Sequence, residues 1–163
     1  MTVLKGGPGW KLPKVSVIAT PFSLGEDMIG ILIVTHQDFG EKLLQAAEGI
    51  LGQQEKCSSI SVSVSSDMEE IMHRINSGVE EVDDGDGVIV ITDMFGGTPS
   101  NLSLSLLGTG RLEVITGANL PMLLKILSCR EMRLEEVALE AKSAGRQGIL
   151  VAGEVLKRKI ANG

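Results

Sequence analysis

A chain of 163 residues, 43% hydrophobic and 22% charged, carries enough apolar material for one domain with a core of its own. Its formal charge of -6, and aromatics confined to Trp10, Phe22, Phe39 and Phe95, provide neither a basic stripe nor a stacking platform and argue against nucleic acid as a partner. Cys57 and Cys129 form no CxxC pair, which fits a reducing cytoplasm and no cysteine-bound metal, and the longest apolar run, Met28 to Val34, is far short of a membrane span.

Residues 1–27 read as a flexible N-terminal extension. Glycines 6, 7 and 9 with Pro8, Pro13 and Pro21 interrupt every element there, Val15 to Thr20 having the only strand character. Met28 directly precedes the first convincing element, so this extension is expected to lie upstream of the natural start, and residues 28–163 are read as the single domain. Met28 to Thr35 is a continuous apolar run suited to a strand buried on both faces. Phe39, Leu43, Ala46, Ala47, Ile50 and Leu51 then share one helical face, with Asp38 as the expected cap and Gly52 beyond the end.

Ile60 to Val64 predicts a second strand, and Asp67 caps a helix whose apolar face is Met68, Ile71, Met72, Ile75 and Val79. The acidic bend Asp83-Asp84-Gly85-Asp86-Gly87 precedes a third strand, Val88 to Thr92, and is read as a solvated turn rather than a cation site. Asp93-Met94-Phe95-Gly96-Gly97-Thr98-Pro99-Ser100-Asn101 follows and opens a helix over Pro99 to Leu107, for which Thr98 is the expected N-cap. Leu112 to Thr116 is a fourth strand. A short helix starts at Pro121 with Met122, Leu123, Ile126 and Leu127 inward, and another spans Leu134 to Ala144, ended by Gly145. Gly148 to Ala152 reads as a fifth strand and Glu154 to Ile160 as a terminal helix.

This alternation predicts an α/β fold, a flavodoxin-like doubly wound, mainly parallel sheet of order 2-1-3-4. Strands 1 and 3 are then neighbours, and their carboxyl ends border the crevice where such sheets bind ligands. Thr35-His36 and Asp93 to Thr98 line it. A lone histidine is more often structural, but Asp93 on the adjacent strand end would bond one ring nitrogen of His36, fix the tautomer and leave the other nitrogen as a nucleophile. Gly96 and Gly97 either make the turn or let backbone N–H groups approach an anion. Thr98 either caps the helix or bonds a phosphate oxygen. The catalytic candidates are therefore His36 and Asp93, and the phosphate-binding candidates Thr35, Gly96, Gly97 and Thr98. His73 falls on a polar helix face, and no metal or cofactor is expected.

These residues resemble the enzyme IIA domain of the mannose-type (mannose, fructose and sorbose) sugar phosphotransferase system. Ile31 to Gly40 resembles the phosphohistidine segment, Asp93 to Asn101 the second active-site motif, and Gly117-Ala118-Asn119-Leu120-Pro121-Met122 a third, over about residues 28–152. The resemblance implies a cytoplasmic phosphoryl carrier in which His36 accepts phosphate from the phosphocarrier HPr and passes it to a IIB subunit. Asp93 would bond the ring, Thr98 would lie near the phosphate, and the membrane would be met only through IIC and IID subunits. It also implies a homodimer in which Gly148 to Ala152 crosses to the partner's sheet as an antiparallel edge strand. Gln37 departs from the family's usual glycine, and no IIB domain follows Gly163, so a separate subunit is expected. Rival readings are a dihydroxyacetone kinase phosphotransfer subunit and a regulatory module using the same histidine. A response-regulator receiver fits poorly, since no acidic pair follows strand 1.

Overall fold

The computed structural model describes residues 28–63 and 65–161; the expected extension over 1–27 lies outside them, as does Val64. Four strands, β1 (Gly30–His36), β2 (Cys57–Val62), β3 (Val88–Thr92) and β4 (Leu112–Thr116), form one parallel sheet in the order β2-β1-β3-β4. Six helices accompany them: α1 (Phe39–Leu51), α2 (Met68–Val82), α3 (Thr98–Leu104), α4 (Leu120–Leu127), α5 (Leu134–Gln147) and α6 (Ala152–Ala161). Among the described residues no helix is long and apolar enough to cross a membrane.

Both central strands are apolar up to their carboxyl ends, Thr35-His36 and Thr92, because both faces are covered. Successive side chains point to opposite sides, so Ile29, Ile31, Ile33, Ile89 and Ile91 join one core with α1, α4 and α5. Leu32, Val34, Val88 and Val90 join a second core with α2 and α3. Each fully buried isoleucine or leucine contributes about 1.5–3 kcal/mol, and these two layers hold the carboxyl ends of β1 and β3 side by side. The edge strand β4 differs: all five of its residues are only half-buried. Its Val114 N–H donates to the Oε1 of the preceding Glu113 at 3.1 Å, so a side chain covers a group that a neighbouring strand would otherwise pair.

Several boundaries differ from those predicted. β2 starts at Cys57 because Cys57, Ser58 and Ser59 pair with Ile31, Leu32 and Ile33; the serines look like loop but fill ladder positions. α3 stops at Leu104. Ser103 Oγ donates to Pro99 O at 2.8 Å and Ser105 Oγ to Leu102 O at 2.7 Å, and Ser105, Leu106 and Leu107 make tighter i−3 backbone bonds, winding the chain out of the α-helix. α5 runs through Gly145 to Gln147, since Gly145 is buried against α4: a Cβ there would meet Met122 Cε at 3.0 Å.

Within the single chain the expected fifth strand is not formed. Gly148 closes α5, with no room for a side chain against Pro121, and α6 begins at Ala152. The intervening Ile149, Leu150 and Val151 are 75%, 71% and 63% exposed.

At the amino end of the sheet sits a buried cation that sequence periodicity does not reveal. Arg130, 5% exposed, donates from Nε to Ile29 O at 2.7 Å, from Nη1 to Glu55 O at 2.8 Å and from Nη2 to Lys56 O at 3.3 Å. One guanidinium thus ties together the chain entering β1 and the chain entering β2. The acidic bend lies at this same end and is braced internally, Asp83 Oδ1 accepting from the Gly85 and Gly87 N–H groups.

Candidate active site

His36 is the last residue of β1, and its neighbour across the crevice is Asp93, the first residue after β3. Parallel pairing of Gly30–Val34 with Val88–Thr92 brings these two ends level. One carboxylate oxygen of Asp93, Oδ2, accepts from the His36 backbone N–H at 3.0 Å and lies 2.8 Å from its ring Nδ1. The other, Oδ1, accepts from the Met94 N–H at 2.9 Å. Burial pushes the Asp93 carboxyl upward, but the His36 backbone and ring bonds, the charge of His36 and the Met94 N–H outweigh it and hold it below the ordinary carboxylate value. Asp93 is therefore an ionised, oriented acceptor. It is 16% exposed against 39% for the histidine, so the acid is withdrawn while the ring remains accessible.

With Nδ1 engaged, Nε2 is the nitrogen left for chemistry. It faces the glycine turn: a Cβ built on Gly97 would lie 2.8 Å from the ring's Cε1 and 3.4 Å from Nε2, so the backbone comes closer than any side chain at 97 would allow. Gly96 makes the approach with a left-handed φ of +85°. The turn is braced from the helix it opens: the Gly96 N–H donates to Ser100 Oγ at 3.4 Å, and Asn101 Nδ2 lies 3.5 Å from Gly96 O. The roles of Ser100 and Asn101 were not read from the sequence, although their four- and five-residue spacing from Gly96 is the available signal.

Thr98 is the first residue of α3 and exposed beside Gly97, which occupies the cap position in its place. First-turn amides have no intrahelical partner, so the N–H groups of Gly97 and Thr98 make no bond within α3, and Gly97 lies against the His36 ring. Thr35 lies elsewhere: it is fully buried, and its Oγ1 accepts from the Gly40 N–H at 2.7 Å, starting α1 in place of the expected Asp38 cap, which makes no side-chain bond. Its hydroxyl is committed under the loop and does not reach the crevice. Gln37, exposed between them, has φ +52°, the left-handed region that favours glycine, and its N–H donates to Val62 O at 3.0 Å.

The third motif closes the rim. Thr92 O accepts from both the Gly117 and Ala118 N–H groups, at 3.0 and 3.1 Å. Asn119 caps α4 by accepting from the Met122 N–H at 3.0 Å and donates from Nδ2 to Gly145 O at 3.1 Å, joining the rim to the end of α5. His73 is exposed on α2, away from this arrangement.

A histidine oriented by a carboxylate and pressed against a glycine turn is suited to holding a group on its free nitrogen. Comparison with known proteins places the chain in a family. Residues 30–142 match the model of the EIIA-man family, described as the PTS system fructose IIA component. The chain is 33% identical over 124 residues to the mannose-specific EIIAB component of Escherichia coli K12, covering 74% of this chain and 38% of that protein, so it spans under half of that relative. It is 28% identical to the fructose-specific EIIA component of Bacillus subtilis, covering 83% of this chain and 94% of that one. The crystal structure of phosphotransferase system component EIIA from Streptococcus agalactiae superimposes with a TM-score of 0.71 at 27% identity, over 78% of this chain and 99% of the other. With the fold, the motif order and the family match in agreement, this chain belongs to the mannose-type IIA components of the sugar phosphotransferase system.

Proposed function

We propose that the domain over 28–163 is a cytoplasmic phosphoryl carrier that accepts phosphate from phospho-HPr on His36 Nε2 and passes it to a IIB subunit. Membrane contact would come only through the IIC and IID subunits. The observation that carries this reading is the 2.8 Å contact between His36 Nδ1 and Asp93 Oδ2, which leaves Nε2 beside Gly97. The Nε2 lone pair attacks phosphorus, the new N–P bond forms as the donor's N–P bond breaks, and the donor histidine leaves as a neutral imidazole. The proton on Nδ1 stays in place. With both nitrogens substituted the ring is cationic, and the Asp93 carboxylate offsets that charge. The Gly97 and Thr98 N–H groups and the Thr98 hydroxyl face the transferred group, while Thr35 supports the loop from beneath. Onward transfer reverses these steps.

The domain works as a homodimer in this reading. Support comes from the uncovered edge of β4 and from the exposed run Ile149-Leu150-Val151, which fit each other if that run of one chain adds antiparallel to β4 of a second.

Incubation with enzyme I, HPr and phosphoenolpyruvate tests the carrier role. An acid-labile, alkali-stable phosphoryl group is expected on His36, with none on His36→Ala. Asp93→Asn is expected to keep the fold and slow transfer by about two orders of magnitude. Label retained by His36→Ala would refute the proposal.

A further inference from the structure

The family match ends at residue 142, and the chain continues past it into α6. Among the described residues this helix packs against no other element to any substantial extent. Leu156 and Ile160 are 49% and 80% exposed, and Lys157 and Arg158 are exposed on a chain whose net charge is -6. An amphipathic basic helix lying off an acidic domain has a face for something outside the chain.

The geometry indicates where it lands. Gly148 is seated on Pro121 at the start of α4, so the chain leaves the domain at the carboxyl edge of the sheet. A strand over 148–152 that runs antiparallel to a second copy's β4 begins beside Thr116 and finishes beside Leu112. It has the same length as β4, about 17 Å at 3.4 Å per residue, and it delivers α6 to the amino edge of that second copy. The acidic bend is waiting there. Arg111, which precedes β4, donates to Gly85 O at 2.9 Å and lies 3.6 Å from Asp86 Oδ1, fixing the bend beside the start of β4.

The negative charge at that edge is concentrated and under-compensated. Glu80 and Glu81 lie in the last turn of α2, which has no basic residue, and Asp83, Asp84 and Asp86 follow its end at Val82. Carboxylates at a helix C-terminus are disfavoured by its dipole. Lys56 on Asp84, at 2.7 Å, and Arg111 on Asp86 offset only part of this charge.

We propose that α6 is a docking helix for a second copy of this chain, laying Lys157 and Arg158 against the acidic bend at the amino edge of that copy's sheet. The inference rests on the swapped-strand dimer proposed above and adds to it a charged latch beyond the strand.

Sedimentation equilibrium of the full chain separates the two ideas. The wild type is expected to be a dimer that weakens with salt. Lys157→Glu with Arg158→Glu is expected to weaken it by roughly tenfold, and adding Asp84→Lys with Asp86→Lys in the same chain to restore it. Thermal melting of each variant checks that the domain stays folded. A wild-type monomer at all concentrations overturns both the dimer and the latch. A wild-type dimer that ignores the Lys157 and Arg158 reversal overturns the latch alone, and a weakened dimer that Asp84→Lys with Asp86→Lys fails to restore overturns the acidic bend as its landing place.

Discussion

At the residue scale, the ring of His36 is held by two unlike restraints, a charge-assisted bond from Asp93 and steric closeness to Gly97. A side chain already fixed in this way loses little freedom when its Nε2 forms a bond. Thr92, one residue before Asp93, is the opposite case. It lies on the same face as Val88 and Val90, is fully buried, and its Oγ1 has no hydrogen-bond partner among the described residues. An unpaired buried hydroxyl costs about 1–3 kcal/mol. Thr92→Val, which keeps the shape and removes the hydroxyl, is expected to raise stability by about 1 kcal/mol. The gain should appear as a higher urea midpoint with an unchanged slope; a lower midpoint would mean that the hydroxyl is satisfied. Gln37 is a third case, since a residue with a Cβ occupies a left-handed position that costs it roughly 1 kcal/mol relative to glycine.

At the scale of elements, Arg130 is the main hidden support. Its three donors hold the backbone entering β1 and β2, and burial pulls its guanidinium below the ordinary arginine value, with surrounding anionic groups opposing. Arg130→Ala would take this donor from the Ile29 and Glu55 carbonyls, while Lys56 O keeps the Ile31 N–H, and is expected to cost about 2–4 kcal/mol, measured by chemical denaturation. A loss under 1 kcal/mol would demote the clamp to a surface contact. None of this was legible in the sequence, because an arginine between two helices carries no periodic signal and its acceptors are backbone atoms 74 to 101 positions away. β1 and β3 were legible for the opposite reason: covered on both faces, they are written as unbroken apolar runs. His36 and Asp93 could be paired in advance since the strand order follows from the alternation of elements, which makes their ends neighbours. Thr35 was misplaced because neighbours on a strand point to opposite faces, so standing next to His36 in sequence put its side chain on the α1 side. The early end of α3 escaped because Ser103 and Ser105 are neutral by periodicity and act only through their hydroxyls.

For the molecule as a whole, the two ends of the sheet differ: the carboxyl end carries the His36 ring with Asp93, and the amino end carries the Arg130 clamp and the acidic bend. Between them runs β4, half-buried along its length, where Glu113 reaches over the N–H of Val114. Left uncovered, such a border is an adhesive template for edge-to-edge growth, above all while chains are still folding. Glu113→Ala removes both the plug and a repelling charge. It is expected to change native stability by no more than about 0.5 kcal/mol while raising light scattering during refolding from urea, increasingly so at higher protein concentration. Scattering equal to that of the wild type would show that the edge needs no guard. The carboxylate of Glu113 thus acts as a gatekeeper of solubility, guarding the open border of the chain's own sheet.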